Sequence, residues 1–359
     1  MKNHSFGLDL VRSSALFLVI MVHSFLYSGF NTSNLIGIKM FFLLFIRCIC
    51  FSGVLLFVIL TGYLKQNKKI DKNHYKSIIK ILIIYFVISI FTLIYRKLII
   101  NDNTSLYDLF IGIFNFTTIS YSWYVEMYIG LFLIIPFLNI LYKNIENKKQ
   151  KQLLIIILLI ISSLFPTISR IKINSYSLNI FPDYWQFLYP ILLYYVGCYI
   201  KEYQIHINKL INICIITLLV FLQTFILFFY VDGNYIGSIS IVENSFLPII
   251  TSFLLFILLY DVKTYSKRIF TFVNFISKFS FGAYLISYTI DNIVYRLLYS
   301  LNISGTLFFF ISTIFITPII YGISITISYI ITKFVNLIET IIKNNIKKRK
   351  EKYKNYVEY

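Results

Sequence analysis

The sequence predicts an all-α polytopic membrane protein with about ten transmembrane helices and both termini in the cytoplasm. Three observations carry that expectation. Of the 359 residues 58% are apolar and only 13% charged, whereas a soluble domain carries about 25% charge and needs those polar residues for its surface. Apolar stretches of membrane-crossing length recur along the whole chain, separated by short polar clusters. Lysine and arginine concentrate in alternate clusters. With about 20 apolar residues needed per crossing, little chain is left for a soluble catalytic domain.

The stretches fall at 8–29, 41–64, 78–99, 122–142, 153–169, 185–200, 209–230, 245–260, 270–290 and 306–332. The first reads as a retained helix and not a cleaved signal peptide: it is about 22 residues long and holds Arg12 and His23. The fifth, sixth and eighth are short, and the ninth is interrupted by Lys278, Ser280 and Gly282. Cys48, Cys50, Cys198 and Cys214 lie inside apolar runs without C-x-x-C or histidine partners, so they read as small core residues. We expect one transmembrane domain over 1–335 and a basic cytoplasmic tail over 336–359.

Orientation follows from the basic residues. Clusters on one side, counted with the N-terminus and tail, hold 24 Lys and Arg, against six on the other side. The positive-inside rule then places both termini in the cytoplasm, consistent with an even number of crossings. The net charge of +18 is thereby a matter of topology, and no nucleic-acid partner is expected. The run Lys347-Lys348-Arg349-Lys350 reads as an anchor to anionic membrane lipid. Trp123 and Trp185 fall at the outer interface, as an aromatic belt would place them.

Ionisable groups inside spans cost about 2.5–3.5 kcal/mol each on insertion scales, so each is a functional candidate. They are Asp9, Arg12, His23, Arg47, Glu126 and Lys278. Arg12 and His23 are eleven residues apart, within about 20° of one helix face and about 16 Å apart along it. Asp9 stands three residues before Arg12, within pairing reach. His23, Arg47 and Glu126 share one depth in the outer half. A histidine there fits proton removal from a hydroxyl, with a carboxylate to orient its ring. It fits a proton-coupled exporter or flippase of a glycan or lipid-linked precursor equally well, and separate snorkelling of Arg47 and Glu126 beside a core histidine is the plainer alternative.

Four segments resemble the membrane-bound acyltransferase-3 family. Gly7-Leu-Asp-Leu-Val-Arg12 through His23-Ser24 resembles its opening helix, an arginine, ten residues and a histidine. Phe51-Ser-Gly53 through Thr61-Gly62-Tyr63-Leu64 is similar to its second helix, Ser122-Trp123-Tyr124-Val125-Glu126-Met127-Tyr128 with Pro136-Phe137 to its fourth, and Ser280-Phe-Gly282-Ala-Tyr284-Leu285-Ile-Ser287 to its late S-x-G-x-Y-L motif. The resemblance spans about residues 6 to 335. It implies transfer of an acyl group, usually acetyl from acetyl-CoA and without a metal, to a hydroxyl of a cell-surface polysaccharide or its lipid-linked precursor. It also implies a multi-pass protein of the bacterial plasma membrane. By resemblance His23 is catalytic and Arg12 binds the acyl donor, while the shared depth adds Glu126 as the carboxylate expected to aid His23. Asp9, Arg47, Lys80, Trp123, Tyr284 and Ser287 complete the expected substrate-binding set. The chain departs from the family pattern in three places: Ser77-Ile-Ile-Lys80 stands for R-x-x-R, Ile84 for a proline, and Ser287-Tyr288 where a histidine often ends the late motif.

Overall fold

In a hydrocarbon solvent every backbone N–H and C=O must be bonded within the chain, and helices meet that demand segment by segment. The computed structural model describes residues 5–170, 172–173, 176–178, 180–230, 244–301 and 305–357. It is helical apart from a two-residue antiparallel ladder pairing Lys172–Ile173 with Tyr176–Ser177. Among the described residues eight helices are long and apolar enough to cross a membrane: α1 Phe6–Tyr27, α2 Ile38–Lys65, α3 Lys72–Leu98, α4 Ser120–Asn144, α5 Lys148–Arg170, α7 Lys209–Phe229, α9 Lys267–Tyr299 and α10 Gly305–Ile341. Two more, α6 Tyr189–Tyr203 and α8 Phe246–Leu259, have 15 and 14 residues. At about 1.5 Å per residue they fall short of a hydrocarbon layer about 30 Å thick.

Contacts between helix termini nevertheless define two ends among the described residues. At one end Tyr299 donates to the Tyr27 carbonyl at 2.6 Å, and Arg170 donates to Asn244 at 2.9 Å and Ser245 at 3.1 Å. At the other, Asn139 donates to the carbonyls of Lys65 and Lys68, Lys151 pairs with Glu202, and Tyr260 donates to the Ile205 carbonyl. The lysine-rich clusters therefore share one physical end. The tail continues as helix to Val357, and the side chains of Lys347 to Lys350 lie outside the described residues.

Short α6 is held by close backbone approach. A Cβ on Gly62 would sit 2.0 Å from the Tyr194 carbonyl oxygen, and one on Gly197 2.1 Å from that of Ile59. Small residues let α2 and α6 touch along their backbones, and eleven residues of α6 are buried as a result. Outward faces are apolar instead, with Phe110, Leu141, Leu218 and Phe315 exposed as lipid-facing side chains should be.

Helices α1 and α9 run parallel in constant register. Asn274 meets Asp9, Ser277 meets Arg12 and Asn292 meets Tyr27, each pair 265 residues apart. The interruption read at Lys278, Ser280 and Gly282 does not exist: α9 is one helix of 33 residues. Ser280 bonds to the Ser277 carbonyl, Lys278 is exposed at the mouth of a cavity described below, and Gly282 makes room for Ser328, whose Oγ donates to the Phe279 carbonyl at 2.7 Å. The cysteine reading also needs one correction, since Cys214 is exposed on the peripheral helix α7 while the other three are buried.

Candidate active site

Arg12 opens onto a cavity of about 260 Å³ between α1, α2, α4 and α9. Its Nη1 donates to Ser277 Oγ at 3.1 Å, and Ser277 donates in turn to Asp9 Oδ1 at 2.6 Å. Asn274 Nδ2 donates to Asp9 Oδ2 at 2.8 Å. The α9 polar stripe thus fixes both Asp9 and Arg12, with Ser277 linking the two. Tyr124, Tyr128 and Phe57 wall the cavity, and Lys65 and Lys278 line it. Lys80, expected in the substrate set, is exposed and donates to Asn336 at 2.7 Å, away from this lining.

Eleven residues along the same helix, His23 lines a second cavity of about 240 Å³. Helix α2 contributes Arg47, Cys50 and Val54 to it, where the helix breaks at Phe51 just before Ser52-Gly53. A Cβ on Gly53 would lie 2.7 Å from Val19, so glycine is what lets α2 lie against α1 at this depth. His23 is half-buried, its ring stacks on Tyr121 at 3.5 Å and 10°, and its Nδ1 has no hydrogen-bond partner among the described residues. Arg47 is buried, 6% exposed, with its guanidinium 4.8 Å from the Phe51 ring centre. It does not snorkel to an interface.

Tyr284 lines both cavities. Its hydroxyl donates to the Tyr121 backbone carbonyl, so this side chain stands between the Arg12 chamber and the His23 chamber. Trp123 also borders the His23 cavity, half-buried and not simply a belt residue. Ser287 does not join them: it is buried and donates to the Tyr284 carbonyl at 2.8 Å, as a mid-helix serine without an outside partner tends to do.

Glu126 is the main correction. It shares neither cavity with His23 or Arg12; it is exposed and lines a third cavity, so it does not orient the His23 ring. The carboxylate nearest the histidine in bonding order is one the sequence reading missed. Asp291, fully buried, accepts a hydrogen bond from Tyr121 Oη at 2.7 Å, and Tyr121 carries the stacked imidazole on its face. The ninth stretch, expected to end at residue 290, continues as helix to Tyr299 and so takes in Asp291. The signal was present in the spacing of Tyr284, Tyr288, Asp291 and Tyr295, which recurs at three and four residues and so continues one polar face of α9.

These features define a multi-pass helical membrane protein with two small chambers, one cationic and one holding a histidine, joined at a tyrosine. A family profile described as an acyltransferase domain matches residues 5–333. The chain belongs to that family, the membrane-bound acyltransferase-3 family, and is an acyltransferase. No curated protein and no solved structure matches it.

Proposed function

We propose that the protein moves an acyl group, most simply acetyl, from acyl-CoA in the Arg12 chamber to a hydroxyl of a surface saccharide or its lipid-linked precursor at His23. The observation that carries this reading is that one helix presents Arg12 to one chamber and His23 to another while Tyr284 borders both. The lysine-rich end faces the cytoplasm by the positive-inside rule, the chain crosses the bacterial plasma membrane ten times with α6 and α8 as short crossings packed inside the bundle, and the basic tail rests on anionic lipid.

The Arg12 chamber suits a thioester donor in part. Its volume of about 260 Å³ lies just below the range of about 300–1,000 Å³ for small-molecule sites, so it takes the acyl-pantetheine arm and leaves the nucleotide outside. Arg12, Lys65 and Lys278 set positive charge along the way in for the donor's phosphates. At the far chamber a neutral His23 nitrogen accepts the proton of the acceptor hydroxyl as its oxygen attacks the thioester carbonyl. The C–S bond breaks, the thiolate leaves, and the imidazolium returns the proton to sulfur. Arg47 on the same cavity stabilises the negative charge that develops on the carbonyl oxygen.

The test is mass spectrometry of surface glycan from cells carrying His23→Ala at normal protein level. Loss of acetylation is expected, and undiminished acetylation overturns the reading. Passage of unmodified labelled precursor across the membrane without any acyl-CoA would replace it with export.

A further inference from the structure

The largest cavity among these, about 830 Å³, lies between α4 and the start of α6 and contains nothing that the reaction above uses except its edge at Trp123. Trp123 lines this cavity and the His23 cavity alike, so the two are neighbours across one indole. Along α4 the wall is a single stripe, Trp123, Glu126, Met127, Gly130, Leu131 and Ile134, at the three- and four-residue spacing of one helix face. A Cβ on Gly130 would meet no atom within 4 Å, which leaves the middle of the stripe open.

Polar groups converge on this space from both walls. Glu126 is an exposed carboxylate on a membrane helix, and it pairs with no basic side chain among the described residues. A carboxylate is expensive there unless water or a polar ligand solvates it. From the opposite wall Arg170 donates to Gln186 Oε1 at 2.7 Å and to Asn244 at 2.9 Å, and Asn244 donates to the same Gln186 oxygen at 3.3 Å. That lattice occupies the carbonyl oxygen of Gln186, itself a lining residue, so the donor capacity of its amide is what remains for a ligand. An acceptor carboxylate, a donor amide and an indole face are what a polyol ring can satisfy together, since each sugar hydroxyl both donates and accepts and the ring's C–H face lies against an aromatic plane. A lipid tail would leave the Glu126 carboxylate unsatisfied, and a phosphate headgroup drawn to Arg170 would meet the Glu126 charge in the same cavity.

We propose that this cavity is the binding subsite for the acceptor saccharide, with Trp123 as its platform, Glu126 and Gln186 as its hydroxyl contacts, and the Trp123 edge as the place where the reacting hydroxyl passes to His23. The subsite rests on the acyltransfer reading above for its position in the reaction but not for its binding. Glu126 is on this account a substrate-binding residue and not a positioning residue for the histidine.

The experiment uses the full chain in lipid nanodiscs, with acetyl-CoA as donor and short oligosaccharides released from the surface polysaccharide of the expressing cells as the acceptor probe. Gly130→Leu fills the cavity at a site where a side chain meets no neighbour. It is expected to raise the acceptor KM at least tenfold, with donor KM and melting temperature unchanged. Glu126→Gln keeps the volume and removes the charge, and about a tenfold rise in acceptor KM is expected. An unchanged acceptor KM in a folded Gly130→Leu protein overturns the proposal, as does an equal rise in donor KM.

Binding is read separately. The chain has two tryptophans, so Trp185→Phe leaves Trp123 as sole reporter, and its fluorescence should change on titration with the oligosaccharides and stop changing when Gly130→Leu is added. A response to phospholipid but not to oligosaccharide also overturns the subsite. If the unaltered protein binds oligosaccharide yet transfers nothing, the subsite stands and the acyltransfer reading fails.

Discussion

The Arg12 and His23 chambers are nearly equal in size, about 260 and 240 Å³, and are served by the same helices α1, α2, α4 and α9, yet they are built on opposite plans. At Arg12 the charge faces the cavity: the guanidinium donates to Ser277, which donates in turn to Asp9, two lysines stand at the lining, and aromatic walls leave a slot. At His23 the charge is held in: Arg47 is buried, and the imidazole lies flat on Tyr121 with Nδ1 unbonded among the described residues. A locked cation suits binding, because a fixed charge loses little entropy when a ligand arrives. An unbonded ring nitrogen suits proton transfer, because nothing competes for its lone pair. One parallel pair, α1 with α9, supports both plans because its polar stripe bonds at each level.

The division of labour can be broken most severely at the histidine. His23→Ala should lower the transfer rate by about 10²–10⁴-fold, the usual worth of a positioned acid–base group, with donor KM unchanged in a purified-protein assay. A large change in donor KM instead would merge the two chambers into one site.

Arg12→Ala comes next. Loss of a charge-assisted contact worth about 1.5–3 kcal/mol corresponds to roughly a ten- to hundredfold rise in donor KM, read from initial rates at varied acetyl-CoA. Arg12→Lys should recover only part, since an ammonium cannot keep the forked geometry. An effect confined to kcat would contradict the binding role.

Asp291→Asn sharpens the His23 side more gently. Asparagine still offers an oxygen to Tyr121, so a kcat loss of about tenfold or less is expected, together with a displaced pH–rate profile. Donor KM should not move. A pH profile identical to that of the parent protein would reduce Asp291 to packing.

The smallest effect lies outside both chambers. In the connection after α3, Asp102 accepts from the Thr104 hydroxyl and amide and from Arg96, and these contacts, those of Thr104 foremost, hold its carboxyl below the usual carboxylate range. A carboxyl depressed in the folded state adds stability above its unfolded pKa of about 3.9 and loses it as pH falls into the acid range. Asp102→Asn should therefore lower the melting temperature slightly at neutral pH, and the gap from the parent should close in acid. Both chambers should be indifferent to it at neutral pH.

What could be read from residues alone was whatever depends on local pattern. Composition and spacing specify the apolar helices and their order, the asymmetry of Lys and Arg, and the pairing of Arg12 and His23 on one helix, because periodicity and charge are properties of a segment in any surroundings. Depth is also local, and it placed His23 and Arg47 at one level, where they do share a cavity. Azimuth between helices is not local. Glu126 has the right depth and turns into another cavity, whereas Asp291, one residue past an expected boundary, is joined to His23 through Tyr121. Lys80 gave way to Lys65 and Lys278 at the Arg12 chamber for the same reason. Which faces meet is set by backbone approach at Gly53, Gly62 and Gly197 and by the parallel register of α1 on α9. Those contacts join residues far apart in the chain, so they exist only once the helices have packed.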